Sequence, residues 1–336
     1  MYQISVQLCN ASGLQDVPFG GMNMIFAGDF TQLPPIMGED WSLYRHKATY
    51  MANNPQGQKK AIGRSLWHQV TTVIILRQNM HQRSQSADNA RLRTALENMR
   101  YKDCMDDDIM FLKSRVSNTR INGSTVKDPL FHDVSIITAW NIHKDEINRL
   151  SSECFAIETG QELIDFYSND SLKHMIKNDN GDDTTKLCIG LLVMIRYNNA
   201  AELCITKGQE ATVYAWQSMV GNKGQQVLDT LFVKLMDGLP LNVVPLTPSM
   251  VGIKVDLPSR QSVNIMREQV QVLSNFAMTD YTSQGKTRPY NVVDIARCRS
   301  HQALTIAEGT LILQRWMQDI TDKVQGHASS ALRQEF

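Results

Sequence analysis

The apolar runs in the first part of the chain predict buried strands. Residues 22–26 form a short apolar run that ends at Ala27-Gly28-Asp29, and residues 70–76 are strongly β-branched up to Arg77. Both runs have the length and composition of strands in a sheet core. Because a polar segment follows each run, we expect each strand to deliver functional side chains at its carboxyl end.

Helical spacing and further strands follow. Apolar residues recur every three to four positions over residues 89–99, which predicts an amphipathic helix. The run at 134–138 predicts a strand, and a helix is expected from about His143. A strand followed by a helix is the unit of a mostly parallel α/β sheet. Two C-terminal runs predict that the chain returns to this pattern, residues 292–295 and 310–313.

The middle of the chain has a different pattern. Residues 169–185 are polar and rich in Asp, Asn and Lys, which predicts a loop or an insertion. Short strand-like runs separated by Gly- and Pro-containing turns then occur at residues 191–197, 210–216, 228–235 and 270–273. Their density predicts a small β-barrel inserted into the α/β sheet.

Composition sets the class of protein. With 336 residues and 42% hydrophobic content, the chain is long enough for two domains with separate cores. A membrane-spanning helix needs about 18 apolar residues in a row, and the apolar runs of this chain are shorter. Residues 1–5 lack the basic and apolar regions of a signal peptide. We therefore expect a soluble intracellular protein without membrane contact. The six cysteines and eight histidines are widely spaced, which favours free thiols and argues against a metal site.

Charge gives only local candidates for nucleic-acid binding. The net charge is zero, so a general basic surface is not expected. Two basic clusters stand out, and a solvated charged face is the favoured interpretation of the first. They are Arg91, Arg93, Arg100 and Lys102, and Lys286, Arg288, Arg297 and Arg299.

The segment after the first predicted strand carries candidate chemistry. Asp29 and Gln32 would lie at the carboxyl edge of the sheet, where open α/β folds bind ligands. Asp29 is suited to hold a metal-bound water, and Gln32 to orient a water or sense a phosphate. A tight turn shaped by glycine and proline explains the same residues equally well.

One tripeptide imitates the end of a phosphate-binding loop. Gly285-Lys286-Thr287 has the right last three residues, but the pattern requires glycine at position 280, where Asp280 stands. The loop should also open a helix, whereas Arg288-Pro289-Tyr290 and a β-branched run follow. A carboxylate there would repel the phosphates, so we interpret the tripeptide as something else.

Residues 19–35 closely resemble the third motif of Pif-type (petite integration frequency) superfamily 1 DNA helicases, which are relatives of RecD-like motors and Helitron helicases. The segment reads Phe19-Gly20-Gly21-Met22-Asn23-Met24-Ile25-Phe26-Ala27-Gly28-Asp29-Phe30-Thr31-Gln32-Leu33-Pro34-Pro35. Its Gly-Asp-x-x-Gln-Leu-Pro-Pro core is highly specific. Further matches to this family are Leu76-Arg77-Gln78, residues 136–141 with Asn148, residues 190–198, Thr206-Lys207-Gly208-Gln209, and residues 277–285 with Ser283-Gln284-Gly285.

The resemblance implies an α/β fold with a partial first RecA-like domain (1–68), a second RecA-like parallel-sheet domain (69–190 and 271–336) and a small inserted β-barrel (191–270). It implies 5′-to-3′ helicase activity on single-stranded or forked DNA with ATP and Mg²⁺, in the nucleus or the mitochondrion, in repair, recombination or telomere maintenance. The implied catalytic residues are Gln32 and Arg77. The implied cofactor-binding residues are Gly28, Asp29, Gln284 and Gly285, and the nucleic-acid contacts are Pro34, Asn141, Thr279 and Ser283.

Departures from the family pattern suggest reduced activity. We expect the chain to begin after the Walker B carboxylates and so to lack them and the P-loop. The Leu-Ser-Arg segment that carries the family's arginine finger is missing around residues 300–310, and Tyr281-Thr282 replaces the usual His-Lys. The isolated chain is therefore expected to be inactive as an ATPase. The alternatives are a truncated remnant, for instance from a mobile element, that at most binds DNA, and a small-molecule α/β enzyme using Asp29.

Overall fold

The computed structural model describes residues 1–29, 32–33, 43, 54–76, 87–117, 129–131, 134–172, 184–198, 205–236, 243–256, 262–286, 288, 290–294 and 311–313. The chain divides into two compact units, built mainly from Met1–Asp108 and from Ile109–Arg299. This grouping follows contacts alone, so the domain boundaries expected from the family resemblance stay a prediction.

The regular secondary structure described in the first unit is helical. Helix α1 (Tyr2–Ser12) ends at Gly13, whose φ of 76° supplies the left-handed C-cap, and a 3₁₀ turn follows at Pro18–Gly21. Helix α2 (Pro55–Trp67) begins after Asn54, whose side chain accepts a 2.7 Å hydrogen bond from the Gly57 amide. Helix α3 (Ala87–Arg100) fulfils the predicted amphipathic pattern, and α4 (Asp106–Ser114) follows it.

The two predicted strands of this unit are absent, and this prediction was wrong. Residues 22–26 and 70–76 form no strand, and Ile25 and Leu76 are 95% and 91% exposed. A β-strand needs a neighbour for its backbone groups, and neither segment pairs with a strand in the described part of the chain. Phe26 alone is anchored, because its ring packs edge-on against Trp67 with centroids 5.8 Å apart.

The second unit contains the expected parallel sheet. Its strands lie in the order β1-β15-β14-β2-β13, and all pairs are parallel. Helix α5 (Asn141–Thr159) follows β2 and ends at Gly160, and the short helix α6 (Asp280–Ser283) follows β13. The strand bounds are β1 Val116–Ser117, β2 Ile136–Thr138, β13 Ala277–Thr279, β14 Val292–Asp294 and β15 Leu311–Leu313, and a 3₁₀ turn spans Pro129–Phe131.

Antiparallel strands fill the middle of the second unit, as the density of short runs predicted. One sheet has the order β12-β6-β7-β8-β9, a second the order β10-β11-β4, and a third pairs β3 with β5. Their closure into a barrel stays a prediction. The bounds are β3 Ile164–Tyr167, β4 Asn169–Leu172, β5 Thr184–Leu187, β6 Leu192–Ile195, β7 Glu210–Val220, β8 Gln226–Leu235, β9 Val243–Leu246, β10 Ser249–Asp256, β11 Ser262–Gln269 and β12 Val272–Ser274.

The first and third of these sheets share an apolar core that includes Phe166, Leu187 and Leu231, each at most 1% exposed. The loop predicted over residues 169–185 was wrong at both ends, where β4 and β5 lie. Strand β4 tolerates its polar sequence because Asp170 forms a bidentate ion pair with Arg267 of β11, at 2.8 and 3.0 Å.

Candidate functional site

The carboxyl edge of the parallel sheet gathers one group of the predicted site residues. Strands β2 and β13 are neighbours in parallel register, with Thr138 opposite Thr279. At this edge β2 continues into Asn141, the exposed first residue of α5, and β13 continues into α6 and Gly285. Ligands of α/β sheets bind at such edges, so this is the candidate site of the second unit.

The Thr279–Gly285 segment, here called the coupling turn, is closed by its own hydrogen bonds. The Ser283 hydroxyl donates to the Asp280 carbonyl at 2.9 Å, and the Gln284 amide donates to the same carbonyl at 3.1 Å. The hydroxyls of Thr279 and Thr282 lie 3.0 Å apart. Ser283 is buried by this arrangement, whereas Gln284 is exposed.

Gly285 is required by its backbone conformation. It is exposed with a φ of 79°, and an added Cβ would meet nothing within 4 Å. Space around the residue is therefore free, and only the left-handed backbone favours glycine there. The coupling turn thus presents Gln284 and the Gly285 backbone to solvent.

Asn148 fixes the strand that leads into the coupling turn. Its Nδ2 donates to the Ala277 carbonyl at 3.1 Å, and its Oδ1 accepts from the Ala277 amide at 2.8 Å. Asn148 is 9% exposed and Ala277 is 1% exposed. The side-chain amide of Asn148, a residue of one of the matched motif segments, therefore supports the backbone of β13.

The tripeptide Gly285-Lys286-Thr287 is not a phosphate-binding loop, as the sequence indicated. Lys286 Nζ donates to the Gly208 carbonyl at 2.7 Å and lies 3.1 Å from Glu210 Oε1. Among the described residues after Gly285, a strand follows and not a helix. Burial lowers the pKa of Lys286 to about 8, which differs from the exposed lysine of a phosphate cradle.

A second group of predicted site residues lies in the first unit. Asp29 Oδ1 is 2.6 Å from an Arg100 guanidinium nitrogen, and the two side chains are 21% and 32% exposed. Gln32 is exposed, and its amide donates to the Asp29 carbonyl at 3.2 Å, which marks a turn. Gly28 is exposed, and a Cβ there would meet nothing within 4 Å. The ion pair therefore holds the start of this loop against α3.

Two predicted site residues, Pro34 and Arg77, lie outside the described residues, as do Arg297, Arg299 and the region of the missing Leu-Ser-Arg segment. Three of the basic residues that the sequence singled out are already paired with carboxylates in the structure. Arg100 is bound to Asp29, and Lys286 and Arg288 both pair with Glu210. Sequence reasoning did not find Glu210, because an isolated carboxylate at the start of a strand gives no pattern.

Two side chains that the sequence singled out, Lys286 and Asp29, are paired with other side chains in the structure. The lysine of the only Gly-Lys-Thr sequence is held by a carboxylate, and Asp29 is held by an arginine. In the described ranges, no three His, Cys, Asp or Glu side chains are grouped so that they could hold a metal ion. No described helix combines the length and apolar character needed to cross a membrane.

Comparisons with known proteins agree with the sequence motifs. A family model for PIF1-like helicases matches residues 5–101. No curated protein sequence matches the chain. The crystal structure of the Pif1 helicase from Candida albicans is 17% identical with a TM-score of 0.65, over 99% of this chain and 73% of that one.

Two further structures are similar. The Pif1 helicase from Bacteroides in complex with ADP-AlF3 and single-stranded DNA is 18% identical with a TM-score of 0.62, over 99% of this chain and 70% of that one. A structure of two coordinating Pif1 helicases unwinding forked double-stranded DNA is 16% identical with a TM-score of 0.58, over 92% of this chain and 64% of that one. The chain thus spans between 64% and 73% of the length of these structures. The fold of the chain is that of the Pif1 helicases, and the resemblance to Pif-type superfamily 1 helicases that its motifs carry is confirmed.

Proposed function

We propose that the chain forms part of the motor of a Pif-type DNA helicase and binds single-stranded DNA at the carboxyl edge of its parallel sheet. The observation that carries this proposal is the parallel pairing of β2 with β13, which puts Asn141 and the coupling turn at one edge. A Bacteroides structure with the same fold was solved with single-stranded DNA.

The proposed roles follow the helicase motifs. Asn141, Thr279, Ser283 and Pro34 contact the DNA. The exposed side chain of Gln284 and the backbone of Gly285 couple the DNA strand to the nucleotide. Gly28 and Asp29 bind the nucleotide. Gln32 is the coupling residue at the nucleotide, and Arg77 contacts the γ-phosphate of ATP. Unwinding in the 5′-to-3′ direction is the corresponding reaction, and ATP with Mg²⁺ would supply its free energy.

A narrower function is proposed for the isolated 336-residue chain. Its 336 residues contain no complete G-x-x-x-x-G-K-[ST] pattern, which favours a chain that binds DNA without hydrolysing ATP by itself. The relation to a larger motor, to a mobile element or to a particular pathway rests on resemblance alone. The same holds for activity in the nucleus or the mitochondrion and for repair, recombination or telomere maintenance.

The DNA-binding proposal is tested by fluorescence anisotropy with a labelled oligothymidylate. Wild-type chain should bind, and the affinity should fall with rising salt because phosphate contacts release counterions. Asn141→Ala should weaken binding about fivefold, the size of one lost polar contact to DNA. Asn222→Ala, in the exposed turn between β7 and β8, is the matched control and should change nothing. Absence of wild-type binding at low salt, or equal affinities of the two variants, would refute the proposal.

A measurement of ATP turnover distinguishes an active helicase motor from a chain that only binds DNA. The isolated chain should show no DNA-stimulated ATP hydrolysis above background. If turnover is measured and Arg77→Ala abolishes it, the chain is an active motor and the narrower function is wrong.

A further inference from the structure

Two cations that follow the coupling turn converge on a single carboxylate. Lys286 Nζ is 3.1 Å from Glu210 Oε1, and the Arg288 guanidinium pairs with the same oxygen. The side chains of Glu210, Lys286 and Arg288 are 23%, 22% and 11% exposed, so all three are largely withdrawn from solvent. Ion pairs of this kind are held in one geometry, in contrast to the mobile pairs of a protein surface.

The contacts of these three residues join elements that are distant in the sequence. Glu210 is the first residue of β7, and Lys286 also donates to the carbonyl of Gly208, just before it. Arg288 in turn lies 3.3 Å from the Met278 sulfur in β13. The carboxylate therefore links the inserted antiparallel sheet to both ends of the coupling turn.

Lys286 also bonds directly to the coupling turn through its backbone. Its backbone amide donates to the Ser283 carbonyl at 3.1 Å, directly across Gln284 and Gly285. Gly285 is the most permissive position of the turn, with a φ of 79° and open space around it. Without a fixed neighbour, such a residue lets the chain adopt several conformations.

We propose that Glu210 is a positioning residue for single-stranded DNA binding, because it holds Lys286 and Arg288 and thereby fixes the exposed end of the coupling turn. The inference rests on the proposed DNA-binding function. The trio carries one net positive charge, which suits a turn placed beside a phosphate backbone.

The sign of one substitution distinguishes this role from a purely electrostatic one. Glu210→Gln removes a negative charge, so simple electrostatics predicts tighter DNA binding. It would also release Lys286 for a new phosphate contact and steepen the dependence of log K on log salt by about 0.7. If Glu210 is a positioning residue, we expect the opposite result: Glu210→Gln binds DNA more weakly, and the dependence of log K on log salt is unchanged.

The experiment compares the full chain with Glu210→Gln, Glu210→Asp and Lys286→Met in anisotropy titrations over a series of salt concentrations. Glu153→Gln is the matched control, because it removes the same group from an exposed ion pair on α5. Hydrogen exchange at the Gln284 and Lys286 amides is measured on the same proteins without DNA.

We expect Glu210→Gln to weaken binding about tenfold, as for loss of a charge-assisted contact, with unchanged salt slope and faster exchange at both amides. Glu210→Asp, which keeps the carboxylate, should recover most of the affinity. Lys286→Met keeps the pair of Glu210 with Arg288, so the unit should remain folded even if Glu210→Gln does not. It should weaken binding to a similar degree, again at an unchanged slope.

Three outcomes overturn the inference. Equal or tighter binding by Glu210→Gln means that the carboxylate only masks charge. A lower melting temperature with unchanged affinity of the folded protein means a structural role alone. Unchanged exchange at both amides means that Glu210 does not hold the turn. Failure of the wild type to bind DNA refutes the proposed function instead, and the exchange measurement still decides whether the anchor exists.

Discussion

Replacement of Asn148 by leucine tests how the structure holds the strand in front of the coupling turn. Strand β13 lies at the edge of the described parallel sheet and pairs with β2 on one side. On the other side, the amide and carbonyl of Ala277 both bond to the Asn148 side chain, at 2.8 and 3.1 Å. One side-chain amide from α5 therefore substitutes for a neighbouring strand.

The magnitude follows from burial. Leucine has the same branching and the same number of side-chain heavy atoms as asparagine, so Asn148→Leu removes both hydrogen bonds while keeping the outline of the side chain; its bulkier methyl groups can only add to the loss. Two backbone groups of Ala277, a residue that is 1% exposed, are left without partners. Each unpaired buried group costs about 1–3 kcal/mol, so the free energy of unfolding should fall by about 2–6 kcal/mol.

The assay is urea unfolding followed by intrinsic fluorescence, to which Trp140 and Trp216 of this unit contribute, with the loss calculated from the midpoint and the m-value. Asn198→Ala is the control. Its Oδ1 accepts one 2.8 Å bond from the Lys207 amide in an exposed segment, so its loss should stay below about 1 kcal/mol. If Asn148→Leu costs no more than this control, the reasoning is wrong, because the Ala277 groups then find other partners.

Three further outcomes are expected. Burial lowers the pKa of Lys286 from its ordinary 10.5 to about 8, so between these pH values the unfolded chain binds more protons than the folded chain, and stability rises with pH. Between pH 7 and pH 10, the free energy of unfolding in urea should therefore increase by up to about 3 kcal/mol more for the wild type than for Lys286→Met. Gly285→Ala should cost about 1 kcal/mol because of its φ of 79°, whereas Gly28→Ala, in open space without positive φ, should cost less than about 0.5 kcal/mol in the same assay. Leu76→Lys should reduce self-association measured by light scattering, because Leu76 is 91% exposed in a run with the exposed Val73, Ile74 and Ile75. Val220→Lys, at a position that is 76% exposed beside the 43% exposed Met219, should reduce it less. Each of the last two predictions is contradicted if the two variants that it compares give the same result.

The sequence predicted elements well where periodicity and pairing agree. The helix over residues 89–99 and the strand-helix unit of β2 and α5 were confirmed, because their apolar positions face a core within the chain. Four of the ten antiparallel strands, β6, β7, β8 and β12, were found for the same reason. Polar strand β4 was missed, since its stability comes from the partner Arg267, which lies 97 positions away in the sequence from Asp170.

Site prediction depended on motifs more than on physics. The coupling turn was singled out by the match of its Ser-Gln-Gly sequence to a family motif, and its role stays a prediction; the structure shows why glycine is needed at 285. The roles of Asn148 and Glu210 were not predictable, because each depends on contacts between segments separated by at least 76 residues. A single sequence carries no signal for such pairs.

The two groups of helicase motif residues differ in what holds them. In the second unit, Asn148 fixes the strand before the coupling turn through two bonds to the buried backbone of Ala277, and Glu210 pairs with Lys286 and Arg288 after the turn. In the first unit, the Asp29–Arg100 ion pair, with side chains 21% and 32% exposed, holds the loop after residue 28. The β-branched and apolar segments around it, with Ile25 95% exposed, have the composition of strands but lack a paired neighbour in the described chain. Their composition favours burial, so any partner that supplied a pairing strand would remove this apolar surface from water and order the loop at the same time. Binding of such a partner and the geometry of Gln32 are thus expected to be coupled, whereas the coupling turn is already set.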